Sequence, residues 1–115
     1  MSVRNKTRCT NLGDTLLTLN AHFTKTLRHL NNNGIPSGCV LWISPCRGIY
    51  TVGNRKPVDI AFLDKNRRVV KMLRNFPPNC FADSTPSAVS AVELPANKLA
   101  ESETNLGDQL DFELD

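Results

Sequence analysis

The chain reads as an α+β domain, a mostly antiparallel, barrel-like sheet of about six or seven short strands with one N-terminal helix. Three observations predict this. Short apolar runs recur from residue 38 onward, each stopped by Pro, Gly or Asn. One segment alone carries a helical stripe, with Phe23, Leu27 and Leu30 at i, i+4 and i+7. A chain of 115 residues, 40% hydrophobic and 22% charged, supplies one core and not two.

Residues 1–14 are polar and without periodicity, so they are expected to be a flexible N-terminal arm ahead of a single domain over 15–115. Thr15–Leu19 is a short apolar strand. Asn20 can cap a helix over roughly Ala21–Leu30, which turns Lys25, Arg28 and His29 away from its stripe. Asn31-Asn32-Asn33-Gly34 ends it and Pro36 forbids its continuation. Gly38–Ser44 is a nearly continuous apolar strand, and Ile49–Val52 a shorter one. Val58–Leu63 follows Pro57, with Val58, Ile60 and Phe62 on one face and Asp59, Ala61 and Leu63 on the other. Asp64-Lys65-Asn66-Arg67 is a hairpin turn in which Asn66 can take a positive φ. Arg68–Phe76 is the return strand, stopped by Pro77-Pro78. Residues 79–87 read as a loop and Ala88–Leu94 as a strand. Asn97–Thr104 is weakly helical at best, and Gln109–Leu114 is a final strand after the Gly107-Asp108 turn.

The net charge of +3 conceals a division: residues 1–75 hold thirteen Lys and Arg against three Asp, whereas residues 76–115 hold Lys98 against eight acids. Folded together, the halves neutralise each other, which disfavours a dedicated polyanion-binding face. Cys9, Cys39, Cys46 and Cys80 include no Cys-x-x-Cys pair, and His22 and His29 lie seven apart, so no metal site or cofactor is expected. No apolar run is long enough to span a bilayer and no secretory signal is legible. A cytoplasmic location with reduced thiols is the default, a Cys39–Cys46 bridge becoming plausible only on export. There is no Gly-x-Ser-x-Gly elbow and no phosphate-cradling glycine loop.

The stretch from Cys46 through Ile49, Thr51 and Gly53 to Pro57-Val58-Asp59-Ile60-Ala61-Phe62-Leu63-Asp64 resembles the family called domain of unknown function 192. Arg68-Val69-Val70, Asn75-Phe76-Pro77-Pro78, Ala91-Val92-Glu93-Leu94-Pro95-Ala96 and Leu106-Gly107-Asp108-Gln109-Leu110 extend the resemblance over roughly residues 15–114. It implies a small, barrel-like α+β fold with no assigned activity, and binding rather than catalysis. The chain departs from the family pattern at Tyr50, Val52, Asn54 and Lys56, where that pattern has a His, an aromatic, a Met and an apolar residue.

Asp59 is the first candidate for a site, because an unpaired carboxylate within an apolar run is expensive. It either accepts backbone N–H groups and Arg55 near the Gly53–Pro57 bend, or it serves a ligand. In the second case Tyr50 would offer a stacking face and Thr51 a hydroxyl, with Arg55 and Glu93 completing a ligand-binding set. The leading expectation is a non-enzymatic binding or accessory module, taking an unknown small molecule or a protein through a pocket near Tyr50–Asp59. One alternative is a hydrolase-like enzyme using Asp59 and Glu93 as paired carboxylates. The other is anion or nucleic-acid binding through Arg55, Lys56, Lys65, Arg67, Arg68, Lys71 and Arg74. Nucleic acid is disfavoured, since Tyr50 and Phe76 are the aromatics left for stacking once Phe23, Trp42, Phe62, Phe81 and Phe112 are assigned to the core.

Overall fold

The computed structural model describes residues 2–19, 35–46, 48–51 and 55–113. In chain order the strands are β1 (Ser2–Asn5), β2 (Thr10–Gly13), β3 (Thr15–Leu19), β4 (Cys39–Ile43), β5 (Gly48–Tyr50), β6 (Val58–Leu63), β7 (Val69–Phe76), β8 (Phe81–Asp83), β9 (Ser90–Pro95) and β10 (Leu110–Glu113). A single helical turn, α1 (Lys98–Glu101), lies between β9 and β10.

The strands form three open sheets, in the orders β3-β4-β9-β6-β7, β10-β1-β2 and β5-β8. The pairing is antiparallel except between β3 and β4, which run parallel. Parallel neighbours need a crossover connection. Its residues, 20–34, lie outside the described ones, as does the expected helix over Ala21–Leu30.

The strand β6 explains the layering. Val58 to Leu63 are all buried, so both of its faces must be covered. Val58, Ile60 and Phe62 point into a cluster with Leu41, Ile43, Cys46, Ile49, Ala82 and Ala91, closed by the β5-β8 ribbon. Ala61 and Leu63 point the other way, into a cluster with Val3, Leu12, Val40, Val92, Leu94, Leu99 and Leu110, closed by β10-β1-β2 and α1. A strand apolar on both faces belongs to a sheet buried on both sides.

This arrangement overturns the expected α+β, barrel-like sheet. The described residues are β-rich, with ten strands and one helical turn, and β3 and β7 remain the unjoined edges of the five-stranded sheet. In a barrel of this size one face of each strand would point outward. Here small sheets cover the large one instead of closing it.

Residues 1–14, expected as a flexible arm, supply β1 and β2, with Val3, Asn5 and Leu12 buried. The segment 79–87, expected as a loop, contains β8, because Ala82 alternates inward against the core while its neighbours point out. In the hairpin after β6 the positive φ falls on Arg67, at 60°, not on Asn66. Asp64 Oδ1 accepts the N–H groups of Asn66 (2.8 Å) and Arg68 (3.0 Å), which fixes Asn66 inside the turn. No helix among the described residues is long and apolar enough to cross a membrane.

Candidate functional site

Asp59 lies on β6 and is fully buried. Opposite it β7 bulges: Val58 pairs with Phe76 and Ile60 with Leu73, leaving Arg74 and Asn75 facing one residue. Asn75 takes φ 51°, and its displaced N–H donates to Asp59 Oδ1 at 2.8 Å. The other oxygen, Oδ2, accepts the N–H of Leu99 in the first turn of α1, also at 2.8 Å. That turn is preceded by Asn97, which provides no side-chain cap of its own, so Asp59 caps it from another strand. Asn75 Nδ2 completes the lock by donating to Asn97 Oδ1 at 3.1 Å. Asp59 therefore accepts backbone N–H groups, but from the bulge and the helix rather than from the Gly53–Pro57 bend.

Glu93 is equally buried, yet it lies on the opposite face. In the register of β9, Leu94 faces Asp59, whereas Glu93 faces Ile60 and Leu41, both members of the ribbon-side cluster. Paired residues in antiparallel strands share a face. The two carboxylates thus project to opposite sides of the sheet, and no cleft lies between them as glycoside chemistry would require. Cys46, on the Glu93 side, is buried; burial pushes its thiol pKa up and the charge of Glu93 adds to the rise. A protonated, enclosed thiol is a poor nucleophile.

Tyr50 and Thr51 belong to the ribbon. Thr51 is buried and ties β5 to the chain before β8: its Oγ1 accepts the Cys80 N–H (3.0 Å) and donates to the Pro77 carbonyl (2.8 Å). Tyr50 points outward, 64% exposed, with its ring centroid 4.9 Å from that of Phe81, itself 51% exposed. Tyr50 is thus separated from Asp59 by the central sheet. Arg55 is exposed. The expected five-residue set of Tyr50, Thr51, Arg55, Asp59 and Glu93 is not gathered around one cavity.

The basic cluster is likewise dispersed. Arg67 lies over the rings of Trp42 (5.1 Å) and Phe112 (4.3 Å). Arg68 donates to the Gly107 carbonyl, Arg74 to that of Thr104 and Lys71 to that of Asp83. The first three lie towards β10 and α1, and Lys71 reaches the ribbon.

Phe81 is the residue that the sequence places wrongly, as core. The clue is the triplet Phe81-Ala82-Asp83, where strand alternation gives Phe81 the face of a charged neighbour. Its ring lies across Gly48 on the facing strand; a Cβ there would come within 2.7 Å of Phe81 Cζ. The lack of a side chain at Gly48 lets Phe81 settle beside Tyr50.

The four described cysteines are free thiols. The family model described as Uncharacterized ACR, COG1430 (DUF192) matches residues 30–112. The chain belongs to this family. No curated protein matches it. Among solved structures, a protein of unknown function from Novosphingobium aromaticivorans DSM 12444 superposes with a TM-score of 0.70 at 13% identity, over 96% of this chain and 82% of the other. A candidate transcription regulator from Sinorhizobium meliloti 1021 gives 0.65 at 14% identity, over 84% of this chain and 78% of the other. At such identity the likeness is one of fold.

Proposed function

We propose that this protein is a non-enzymatic binding module that takes an extended segment of a protein partner onto the outer face of the β5-β8 ribbon. The observation that carries the reading is the exposed pair Tyr50–Phe81, two large rings in mutual contact on an otherwise small surface. Aromatic side chains that remain exposed and pre-oriented are favoured anchors for protein partners. Charges nearby are already engaged: Lys71 Nζ donates to the Asp83 carbonyl and Asp83 Oδ1 accepts the Ser84 N–H. Lys71 and Asp83 set opposite charges side by side next to the rings, which favours a polypeptide over a polyanion. Neither β5 nor β8 pairs with a second strand among the described residues; an extended segment that paired with an edge of the ribbon would lay alternate side chains against the rings on its outer face. The free thiols suit a reducing compartment such as the cytoplasm.

Panning a random peptide library against the full chain tests this. The expected result is an enriched set of apolar peptides whose affinity falls at least about tenfold for Tyr50→Ala/Phe81→Ala with folding unchanged. Failure to enrich any sequence, or equal binding by the double variant, overturns it.

A further inference from the structure

On the side of the molecule remote from the ribbon, a cleft of about 370 Å³ is lined by Lys6, Thr7, Arg68, Gln109, Leu110 and Asp111. We infer that it binds a small hydroxylated oxyanion, a phosphate or carboxylate carrying a neighbouring hydroxyl group.

The walls are set by backbone. The Lys6 N–H donates to the Gln109 carbonyl at 2.8 Å and the Gln109 N–H donates to Thr7 Oγ1 at 2.8 Å. The Leu110 N–H donates to the Arg67 carbonyl at 3.0 Å, while Arg68 and Gln109 form an antiparallel bridge. Gln109 Nε2 closes the corner on the Asn66 and Leu110 carbonyls, at 2.6 and 3.0 Å. The turn after β1, the start of β7 and the start of β10 are therefore held together without any ligand, and ordering the site costs little on binding.

The donors left over belong to residues that line the same cleft. The Lys6 ammonium makes no hydrogen bond or ion pair with the described residues. Arg68 spends one guanidinium nitrogen on the Gly107 carbonyl at 3.0 Å, leaving further N–H groups of its planar fork. Thr7 Oγ1 accepts a hydrogen bond from the Gln109 N–H and keeps its own O–H to donate. A lysine, an arginine and a hydroxyl together suit an oxyanion. By contrast Arg8, the next cation along the turn, is committed to Asp108 at 3.1 Å.

Asp111 narrows the class. The residue lines the same cleft, and its carboxylate would repel a bare anion packed against it. An adjacent hydroxyl on the ligand would instead donate to it. The two cations and one carboxylate leave a single net positive charge at the cleft, which fits a compact ligand better than a polyanionic strand. This inference is independent of the ribbon, which lies across the central sheet.

The test is a titration of the full chain followed by amide NMR shifts, with glycerol 3-phosphate, malate, inorganic phosphate and succinate as probes. Expected are saturable shifts at Lys6, Thr7, Arg68 and Gln109 for the two hydroxylated anions. Inorganic phosphate and succinate should bind at least about tenfold more weakly, a difference near 1.4 kcal/mol. The phosphate and carboxylate arms identify which oxyanion is preferred. Lys6→Gln/Arg68→Gln should abolish the shifts, while Lys65→Gln, a cation on the hairpin outside the cleft, should leave them intact. Lys6 and Arg68 are exposed, so an unchanged apo spectrum verifies the fold of the double variant. Absence of saturable shifts, shifts centred elsewhere, or equal binding by the double variant overturns the inference. Equal binding of succinate and malate overturns the hydroxyl requirement.

Discussion

The two faces of the central sheet are finished in different ways. Towards β10-β1-β2 and α1, apolar packing is threaded with a polar network. Asp59 holds the bulge and the helix, while buried Asp108 accepts from Asn5 Nδ2 (2.9 Å), the Asn105 N–H (2.9 Å) and Arg8 Nε (3.1 Å). Asn5 also donates to Thr104, whose hydroxyl meets that of Ser102 at 2.8 Å. Towards the ribbon, two three-residue strands complete the cover, and what they present outward is a pair of aromatic rings. One face thus uses buried polar groups to fix backbone, and the other leaves apolar groups in water. The acid in the apolar strand β6 is thus a structural acceptor, with both oxygens spent on backbone N–H groups.

The sharpest way to break that contrast is at Asp59. Asp59→Ala should cost about 2–4 kcal/mol, since it strands the buried Leu99 N–H and takes the acceptor from the part-buried Asn75 N–H. Asp59→Asn should cost about 1–3 kcal/mol, because one carboxylate oxygen becomes a donor facing a donor. Denaturant unfolding measures both, and peptide binding at the ribbon should persist in the folded fraction. A fully stable Asp59→Ala protein would remove the structural role assigned to this face.

Asp108 comes next and adds a pH signature. Burial raises its pKa, but hydrogen bonds from Asn5, Asn105 and Arg8, with the Arg8 charge, outweigh burial and hold it below the ordinary Asp value. The unfolded chain binds this proton more readily, so the stabilisation is complete above the unfolded pKa, near 4, and is lost as pH falls through the folded pKa. Acid titration of stability should be less steep in Asp108→Asn than in the natural chain, with a loss of about 2–3 kcal/mol at neutral pH. Equal acid slopes in the two proteins would show that the network does not depend on this charge.

Much of the strand content was legible from residues. Val58–Leu63 has its observed bounds because Pro57 and Asp64 flank an unbroken apolar run, and Thr15–Leu19 likewise agrees. The layering was less legible, although β6 carries it: two apolar faces on one strand imply cover on both sides, not a barrel wall. β1 and β2 escaped because Ser, Arg, Asn and Thr dominate them, and only Val3 and Leu12 carry their apolar anchoring. The pairing of β1 with β10, about a hundred residues away, has no local signature. The separation of Asp59 from Glu93 depends on the register of β6 against β9, which a strand pattern alone does not specify. Phe81 was misplaced because a large aromatic is usually core, and alternation over three residues is a short signal.

Glycines separate the two faces at smaller energies. A Cβ on Gly13 would come within 2.8 Å of both the Gly38 carbonyl oxygen and Val40 Cγ2. The first is backbone and cannot swing aside, so Gly13→Ala should cost about 1–3 kcal/mol by forcing β2 away from β4. Thermal unfolding would detect it, and a neutral result would mean that the three-stranded sheet rides on the core more loosely than its buried Val3 and Leu12 indicate.

At Gly48 a similar approach has the opposite consequence. The added Cβ would meet Phe81 Cζ at 2.7 Å and Cε2 at 2.9 Å, but those atoms end a half-exposed side chain that can rotate into solvent. Gly48 does not have a positive φ, so alanine adds no backbone strain. Gly48→Ala should therefore cost less than about 1 kcal/mol while dissolving the Tyr50–Phe81 contact. If the ribbon binds through a pre-oriented ring pair, this variant should lose peptide affinity nearly as far as Phe81→Ala, with melting almost unmoved. Binding retained by Gly48→Ala but lost by Phe81→Ala would show that the ring matters and its resting position does not. Pre-orientation would then be removed from the account of the ribbon, leaving the ring itself as the contact.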